Sequence, residues 1–175
     1  MRIFEIGQCF LPTDDSDSGL VQSTNFAGLV CGAREPVSWS GSKESVDFYD
    51  IKGDLQSVFS QTGLAKEFSF DAGAHAALHP GQSAKILRND KFIGWIGQIH
   101  PKVQSYLGLS TAVYVFQVNI DDLTDVRIPF YEEVSKFPEV RRDLAFYVDS
   151  ELAASELMNC ACLLYTSPSP RDVEE

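Results

Sequence analysis

The chain has 175 residues, of which 44% are hydrophobic and 11% aromatic, a composition typical of a globular protein rather than a disordered one. A net charge of −11 argues against a protein that wraps nucleic acid over most of its surface, although a local basic patch is still compatible with it. With no run of about 18 apolar residues and no signal-peptide pattern at the N-terminus, we expect a cytoplasmic protein that does not span a membrane.

The four cysteines do not have the spacing of a metal site. Cys9, Cys31, Cys160 and Cys162 form no Cys-x-x-Cys pair and have no histidine at zinc-finger distance. Cys9 and Cys31 lie in apolar, strand-like runs, where a free cysteine behaves as a small hydrophobic residue. We interpret these two cysteines as reduced core residues.

The first 34 residues predict two strands separated by a loop. Met1–Phe10 alternates between two faces and opens without a preceding turn, so we expect a further segment upstream of it. Leu11–Val21 is rich in Asp, Ser and Gly after Pro12, which indicates an exposed loop. Asn25–Arg34 is predicted to be a second, buried strand.

A helix is predicted over Val46–Thr62, because apolar residues recur there at three- and four-residue spacing. Three acidic residues lie toward its amino end, where the helix dipole favours negative charge, and Gly63 is a plausible C-terminal stop. They are Asp47, Asp50 and Asp54. These aspartates are possible metal ligands, but a solvated helix face explains them more simply.

Two short patterns resemble catalytic or metal motifs but carry little weight. Ser40–Lys43 fits the Ser-x-x-Lys pattern of penicillin-binding enzymes, yet the partner motifs Ser-Asp-Asn and Lys-Thr-Gly are absent. His75 and His79 have the spacing of zinc ligands on a helix, but the glutamate of His-Glu-x-x-His is replaced by Ala76 and Pro80 opposes a helix. We expect loop histidines that hydrogen-bond locally.

Leu78–Pro101 is predicted to be a β-hairpin around which the remaining chain is arranged. Two alternating stretches meet at Asn89-Asp90, and both residues tolerate the positive φ of a two-residue turn. The second strand is apolar on both faces, which predicts a central strand covered on both sides. Gly94 and Gly97 are predicted to leave room for a bulky group to lie across it.

Further short elements are predicted around this hairpin, and a new unit is predicted from Val134 onward. They are a strand at Glu67–Asp71, a helix at Pro101–Leu107, a strand at Ala112–Ile120, a turn capped at Asp121–Leu123, a strand at Val140–Val148 and a helix from Ser150 or Glu151 through Leu152, Leu157 and Met158. A strand followed directly by a helix is half of a split βαβ unit.

Five stretches together resemble the bacterial phenylalanyl-tRNA synthetase β subunit. They are VDFYDIKGDLQSVF, LHPGQSAKI, IGWIGQIHP, YVFQVNIDDL and SKFPEVRRDLAFYVD, in the same order from Met1 to about Ala161. The resemblance implies an α+β fold: a class II synthetase-like, mixed or antiparallel sheet with flanking helices, followed by a truncated ferredoxin-like unit. Residues 1–133 would be the second half of the core domain, and residues 134–161 the start of the anticodon-binding domain.

The resemblance also implies a role without catalysis. In that family the enzyme is an α2β2 tetramer, and ATP, Mg²⁺ and phenylalanine are used on the α subunit. The strand IGWIGQIHP has no arginine that could grip phosphates, and no Gly-rich phosphate loop is present. We therefore expect no catalytic, cofactor-binding or metal-binding residue in this chain. Its apolar strands and aromatic-rich helix suit an interface with the α subunit.

The best candidates for tRNA contact form a basic cluster near the predicted domain boundary: Lys136, Arg141 and Arg142. Arginine pairs with phosphate and stacks on bases, and the family's C-terminal domain approaches the anticodon. Ion pairs with Glu139 and Asp143, or with the core domain, are an equally weighted alternative.

The last residues depart from the family. Cys162–Asp172 reads as the translation of a transposon-type sequencing adapter, and we expect residues 162–175 to be a disordered artefact, with the natural protein continuing on both sides of 1–161. A Pro/Ser-rich disordered tail is the simpler alternative. Two other functions remain: a free-standing RNA-binding or protein-interaction module with this fold, and a hydrolase using His75, His79 or His100, for which no constellation is evident.

Overall fold

The computed structural model divides the chain into two compact units, Met1–Tyr131 and Glu132–Glu175. The structure describes residues 1–14, 19–35, 38–39, 44–128, 131, 143, 145–150 and 152–166, the last five of them by their backbone only. None of the helices within these ranges is long and apolar enough to cross a membrane.

The first unit is built on one six-stranded sheet in which every pair of neighbours is antiparallel. The strands are β1 (Arg2–Pro12), β2 (Leu20–Cys31), β3 (Phe68–Ala72), β4 (Leu78–Arg88), β5 (Lys91–Ile99) and β6 (Val113–Asn119), and their order across the sheet is β1-β2-β6-β5-β4-β3. The helices are α1 (Phe48–Gln61), α2 (Pro101–Tyr106) and, in the second unit, α3 (Ala154–Thr166). These elements confirm the predicted α+β class and, of the two predicted sheet types, the antiparallel one.

The predicted hairpin is confirmed as β4–β5. Its two turn residues, Asn89 and Asp90, have φ angles of 48° and 64°. A two-residue turn with positive φ at both positions matches the right-handed twist of the strands that it joins. The β4–β5 register shifts between Ile86 and Leu87, so the hairpin contains a β-bulge close to its turn.

The predicted helix is also confirmed, and its ends follow from local chemistry. The carboxylate of Asp47 accepts hydrogen bonds from the backbone N–H groups of Tyr49 and Asp50, while the Asp50 side chain accepts one from the Asp47 N–H. This capping box satisfies donors that the first turn leaves unpaired. At the other end Gly63 has φ 70°, a conformation that costs glycine little.

The hydrophobic core lies between α1 and one face of the sheet. Three residues of α1, Ile51, Leu55 and Phe59, are almost fully buried, as are Ile86 and Ile96 from the middle strands. Phe59 also stacks on an aromatic ring of β3, with its centroid 4.0 Å away. Burial of apolar surface at about 25 cal/mol per Å² makes this layer the main source of stability.

The prediction that β5 is covered on both faces is wrong for the described part of the chain. Ile96 faces α1 and is buried, whereas Trp95 on the opposite face is only partly buried. The interpretation of the glycines also needs correction. A Cβ at Gly94 would collide with the backbone of β6, and one at Gly97 would lie 2.9 Å from the Ser83 Cα of β4. These glycines therefore permit close approach of neighbouring strands.

The second unit differs from its prediction. Residues 143 and 145–148 are not in a strand, so the predicted strand at Val140–Val148 is wrong where it is described. The predicted helix is present but starts at Ala154, and it continues to Thr166, five residues into the segment expected to be disordered. Residues 167–175 lie outside the described residues.

The described cysteines, Cys9, Cys31 and Cys160, are free, but the prediction of core positions is wrong for Cys9 and Cys31. Cys9 and Cys31 are partly exposed and Cys160 is exposed. Cys9 and Cys31 both point away from α1, because their positions in the alternating strands place them on the opposite face of the sheet.

Candidate functional site

The face of the sheet opposite α1 forms an open groove of about 880 Å³. Strand alternation and register bring side chains from consecutive strands into rows across this face. One row runs Ile3, Leu29 and Val115, and the next runs Glu5, Ala27, Gln117 and Trp95. We call this surface the open face. Its floor is aliphatic, with polar groups between the apolar ones.

The aromatic residues of the open face are grouped around Trp95. The ring of His75 lies 5.1 Å from the ring of Trp95, and that of Phe92 lies 5.4 Å away in an edge-on arrangement. Aromatic groups of this kind are enriched where proteins contact one another, because they bury a large area at a small cost in side-chain entropy. The open face therefore has the composition of a protein-contact surface.

The charged residues among those lining the groove are one lysine and two acids. Lys91 donates to the carboxylate of Asp122 at 2.8 Å, so its charge is neutralised at the rim, and Glu5 leaves the surface acidic. A nucleoside triphosphate needs positioned cations against its phosphates. The electrostatics of the open face therefore favour an uncharged or basic contact over a phosphate-bearing one.

On the other face, Arg34 ties the start of α1 to the sheet. Its guanidinium contacts the carboxylates of Glu44, Asp47 and Asp50 at 2.8 to 3.0 Å. Burial alone would raise the pKa of Asp50, but the Asp47 N–H and the Arg34 guanidinium outweigh it and hold the pKa below its usual value. The hydrogen bond to Asp50, together with the attraction of the nearby carboxylates, raises the pKa of Arg34. The acidic group predicted on this helix therefore stabilises the fold through ion pairs.

A second ion pair connects the hairpin to its neighbours. The Arg88 guanidinium contacts Glu67 at 3.0 Å and Asp125 at 3.2 Å, and it donates to the Asp122 carbonyl oxygen. Although burial opposes the charge, the hydrogen bond and attraction of Glu67 raise the pKa of Arg88 above its usual value. Sequence reasoning missed the partners of Arg34 and Arg88, because they are separated along the chain.

Tyr114 lies under α1 with its hydroxyl 3.4 Å from the Gln82 side chain. Burial raises the pKa of this hydroxyl, and the nearby charges of Asp47 and Asp50 raise it further. A phenol in this setting is a neutral hydrogen-bond donor rather than a proton acceptor.

His75 and His79 make the local hydrogen bonds expected of them, although His79 lies in a strand rather than in a loop, and His100 makes a similar bond. Nδ1 of His75 accepts from the Ala77 N–H, Nδ1 of His79 from the Gly81 N–H, and Nδ1 of His100 from the N–H of Lys102. His100 thereby caps the short helix α2, while His79 lies at the start of β4. Within the described ranges, no group of three or more His, Cys, Asp or Glu side chains is arranged to hold a metal ion.

The predicted tRNA-contacting residues, Lys136, Arg141 and Arg142, lie outside the described residues, as does Ser40–Lys43. The open face was not predicted as a site. The alternation of β1, β2 and β6 was a usable signal for it, since apolar residues on both faces of a strand indicate a second contact surface.

Residues 1–120 match the family described as the phenylalanyl tRNA synthetase beta chain CLM domain. The chain belongs to this family. Membership confirms the family resemblance, whereas the position within the subunit and the class II and ferredoxin-like assignments stay predictions. The chain is 42% identical over 159 residues to the phenylalanine–tRNA ligase beta subunit of Pseudomonas syringae pv. tomato, which covers 91% of this chain and 20% of that relative.

Two further relatives of the same name show the same proportions. The Shewanella oneidensis protein is 41% identical over 158 residues, covering 90% of this chain and 20% of the relative. The Legionella pneumophila protein is 42% identical over 158 residues, covering 90% of this chain and 19% of the relative. The chain thus spans about a fifth of the length of the curated relatives that it matches.

Proposed function

We propose that this chain is a segment of the β subunit of a phenylalanine–tRNA ligase, and that it scaffolds the α subunit of an α2β2 enzyme without catalysing the reaction itself. Attachment of phenylalanine to tRNA, with ATP and Mg²⁺, takes place on the α subunit in this proposal. The observation that carries it is the family match over residues 1–120. The two domains, a class II synthetase-like core and the start of a ferredoxin-like unit, belong to the same proposal, as does a cytoplasmic location.

The open face is the proposed contact with the α subunit. It is apolar, it carries an aromatic group around Trp95, and it measures about 880 Å³ in volume. The single lysine among its lining residues is already paired with Asp122. These properties suit the desolvated centre of a protein interface better than a site for triphosphate chemistry.

The test is co-expression of the 175-residue chain with the α subunit from the same genome, followed by size-exclusion chromatography. We expect the two chains to elute together in equal amounts. Leu29→Lys places a charge in the middle of the open face, and we expect it to weaken the complex at least tenfold. Val58→Lys is the matched control, because Val58 is a partly exposed aliphatic residue on α1.

Elution of a folded chain separately from the α subunit would contradict the scaffold proposal and favour the free-standing module. Equal loss of the complex in both lysine variants would contradict the assignment to the open face. Circular dichroism of each variant shows whether the fold is retained.

The second part of the proposal is that Lys136, Arg141 and Arg142 contact tRNA. If Arg141 and Arg142 pair with phosphates, replacing both by Gln reduces the salt dependence of tRNA binding by about one unit of slope for each phosphate that is no longer neutralised. A slope unchanged in the double variant would favour the ion pairs with Glu139 and Asp143. Lys102→Gln, on α2 of the first unit, is the control for a general loss of positive charge.

A further inference from the structure

After the last strand of the sheet, the chain continues along the first unit in a segment without regular structure. It first forms a short 3₁₀ helix, Ile120–Leu123, in which Leu123 packs against the hydrophobic core. The next four residues, Thr124–Arg127, are in neither a helix nor a strand, and the side chains of Asp125 and Val126 are largely exposed. We call Thr124–Arg127 the exit segment. Because it buries little apolar surface, polar contacts hold it in place.

One of these contacts is an ion pair with the hairpin. The Arg88 guanidinium, only 13% exposed, has its Nη1 atom 3.2 Å from the Asp125 carboxylate. The same nitrogen donates to the Asp122 carbonyl oxygen at 2.7 Å, just before the exit segment. Nε of Arg88 pairs with Glu67 at 3.0 Å. Because Glu67 and the Asp122 carbonyl orient the guanidinium, Arg88 presents a fixed charge to the exit segment.

The other contacts are made by the end of α1. The Arg127 N–H donates to the Thr62 carbonyl oxygen at 2.8 Å. Gly63 lies so close to this point that a Cβ on it would collide with the Arg127 carbonyl oxygen. Since Gly63 also has φ 70°, its lack of a side chain serves both the helix end and the approach of the exit segment. The exit segment is thus held by the hairpin at Asp125 and by α1 at Arg127.

We propose that the exit segment opens and closes independently of the sheet, hinged at Thr124, and that Arg88 and Gly63 stabilise the closed state. Exposed segments with few apolar contacts open at a much lower free energy than core strands. Opening breaks the contacts of Asp125 and Arg127 but leaves Leu123 in the core. It releases four residues of the chain that leads to the second unit, about 13 Å when extended. Closure therefore limits how far the following chain reaches from the first unit.

The test is amide hydrogen exchange of the 175-residue chain, followed residue by residue with NMR spectroscopy. We expect the Arg127 amide to exchange more slowly than in an unstructured peptide, because it is hydrogen-bonded to Thr62 in the closed state. We also expect it to exchange at least tenfold faster than the amides of β5 and β6, because the exit segment opens without unfolding of the sheet.

Three variants test the ion pair. Asp125→Asn removes the charge that Arg88 contacts and should raise the exchange rate of the Arg127 amide about two- to fivefold, as for a partly exposed ion pair. Asp122→Asn is the matched control, because it removes an equal charge that pairs with Lys91 before the hinge, and it should leave this rate unchanged. Arg88→Met also removes the bond to the Asp122 carbonyl and should raise the rate at least tenfold.

Two further variants test the contact with α1. Gly63→Ala places a methyl group against the Arg127 carbonyl oxygen and should raise the exchange rate of the Arg127 amide at least tenfold. Gly108→Ala is the matched control. Gly108 also follows a helix and has φ 67°, but a Cβ there would meet nothing within 4 Å. Both variants strain the backbone, and only Gly63→Ala should change the exchange at Arg127.

Any of four results would overturn the proposal. Exchange at Arg127 as slow as in β5 and β6 would show that the exit segment opens only with the sheet. Exchange as fast as in an unstructured peptide would show that it is not closed. Equal effects of Asp125→Asn and Asp122→Asn, or of Gly63→Ala and Gly108→Ala, would show that the ion pair or the glycine does not hold it. None of these outcomes depends on the proposed contacts with the α subunit or with tRNA.

Discussion

The close approach of β5 and β6 at Gly94 makes a sharp prediction about stability. A methyl group at this position would collide with the backbone of β6 at Gln117 and Val118, lying 2.8 Å from the Val118 Cα. A backbone in the middle of a sheet has nowhere to move without breaking hydrogen bonds on both sides. Gly94→Ala should therefore cost at least the ~1–3 kcal/mol of an overpacked core.

The matched control is the same substitution on α1. A Cβ at Gly53 would meet nothing within 4 Å, and Gly53 is in the middle of a helix. Alanine there removes the conformational freedom of glycine from the unfolded chain and should stabilise the protein by about 0.5–1 kcal/mol. The two Gly→Ala variants thus change stability in opposite directions, because the methyl group has space at Gly53 and collides with a neighbouring backbone at Gly94.

Gly28→Ala should fall between them. Its Cβ would lie 2.6 Å from an atom of the Phe116 ring, which can turn slightly, and 3.2 Å from the Ile3 backbone oxygen, a smaller overlap with backbone than at Gly94. Urea unfolding followed by circular dichroism gives the free energies of unfolding. From most to least stable, the expected order is Gly53→Ala, wild type, Gly28→Ala and Gly94→Ala. Any other order would refute the reasoning. A stable Gly94→Ala variant would show that β5 and β6 are further apart.

Three further predictions concern α1 and the hairpin. The lowered pKa of Asp50 means that the contribution of this carboxylate to stability is complete above its unfolded-state pKa, near 3.9, and is lost as pH falls through its lower folded-state pKa. Urea midpoints measured from pH 6 to pH 2 should therefore fall less steeply for Asp50→Asn than for the wild type. Asp90→Gly suits the positive φ at that turn position and should raise stability by about 0.5–1 kcal/mol, measured as a rise in melting temperature; a decrease would argue against this turn type. Leu55→Ala, at a fully buried position facing the sheet, should cost about 2–5 kcal/mol in urea unfolding, and a loss below 1 kcal/mol would contradict the packing of α1.

Local elements of this protein followed directly from its sequence. The apolar spacing of α1, with Asp47 before it and Gly63 after it, specifies a helix whose ends are satisfied by neighbouring residues. Asn89 and Asp90 likewise specify a two-residue turn because they tolerate positive φ. Short-range chemistry was sufficient in both cases, since donors, acceptors and turn residues lie within a few positions of one another.

The second unit shows where such reasoning failed. Alternating apolar residues near Phe146 predicted a strand, but residues 145–148 do not form one. A strand needs a partner to satisfy its backbone groups, and alternation in one segment does not supply it. By contrast, α3 continues beyond Ala161 because a helix satisfies its backbone hydrogen bonds internally and needs no partner strand. Cys162–Thr166 also contains neither Gly nor Pro, which would end a helix.

Sequence by itself determined the family of this protein, its α+β composition, its capped helix and its two-residue turn. Tertiary structure alone decided which side of each strand is covered. Leu29 and Val30 look equally apolar in the sequence, yet Val30 is buried in the core and Leu29 lines the open face. Their difference depends on α1, which covers one face of a sheet whose strands come from distant parts of the chain.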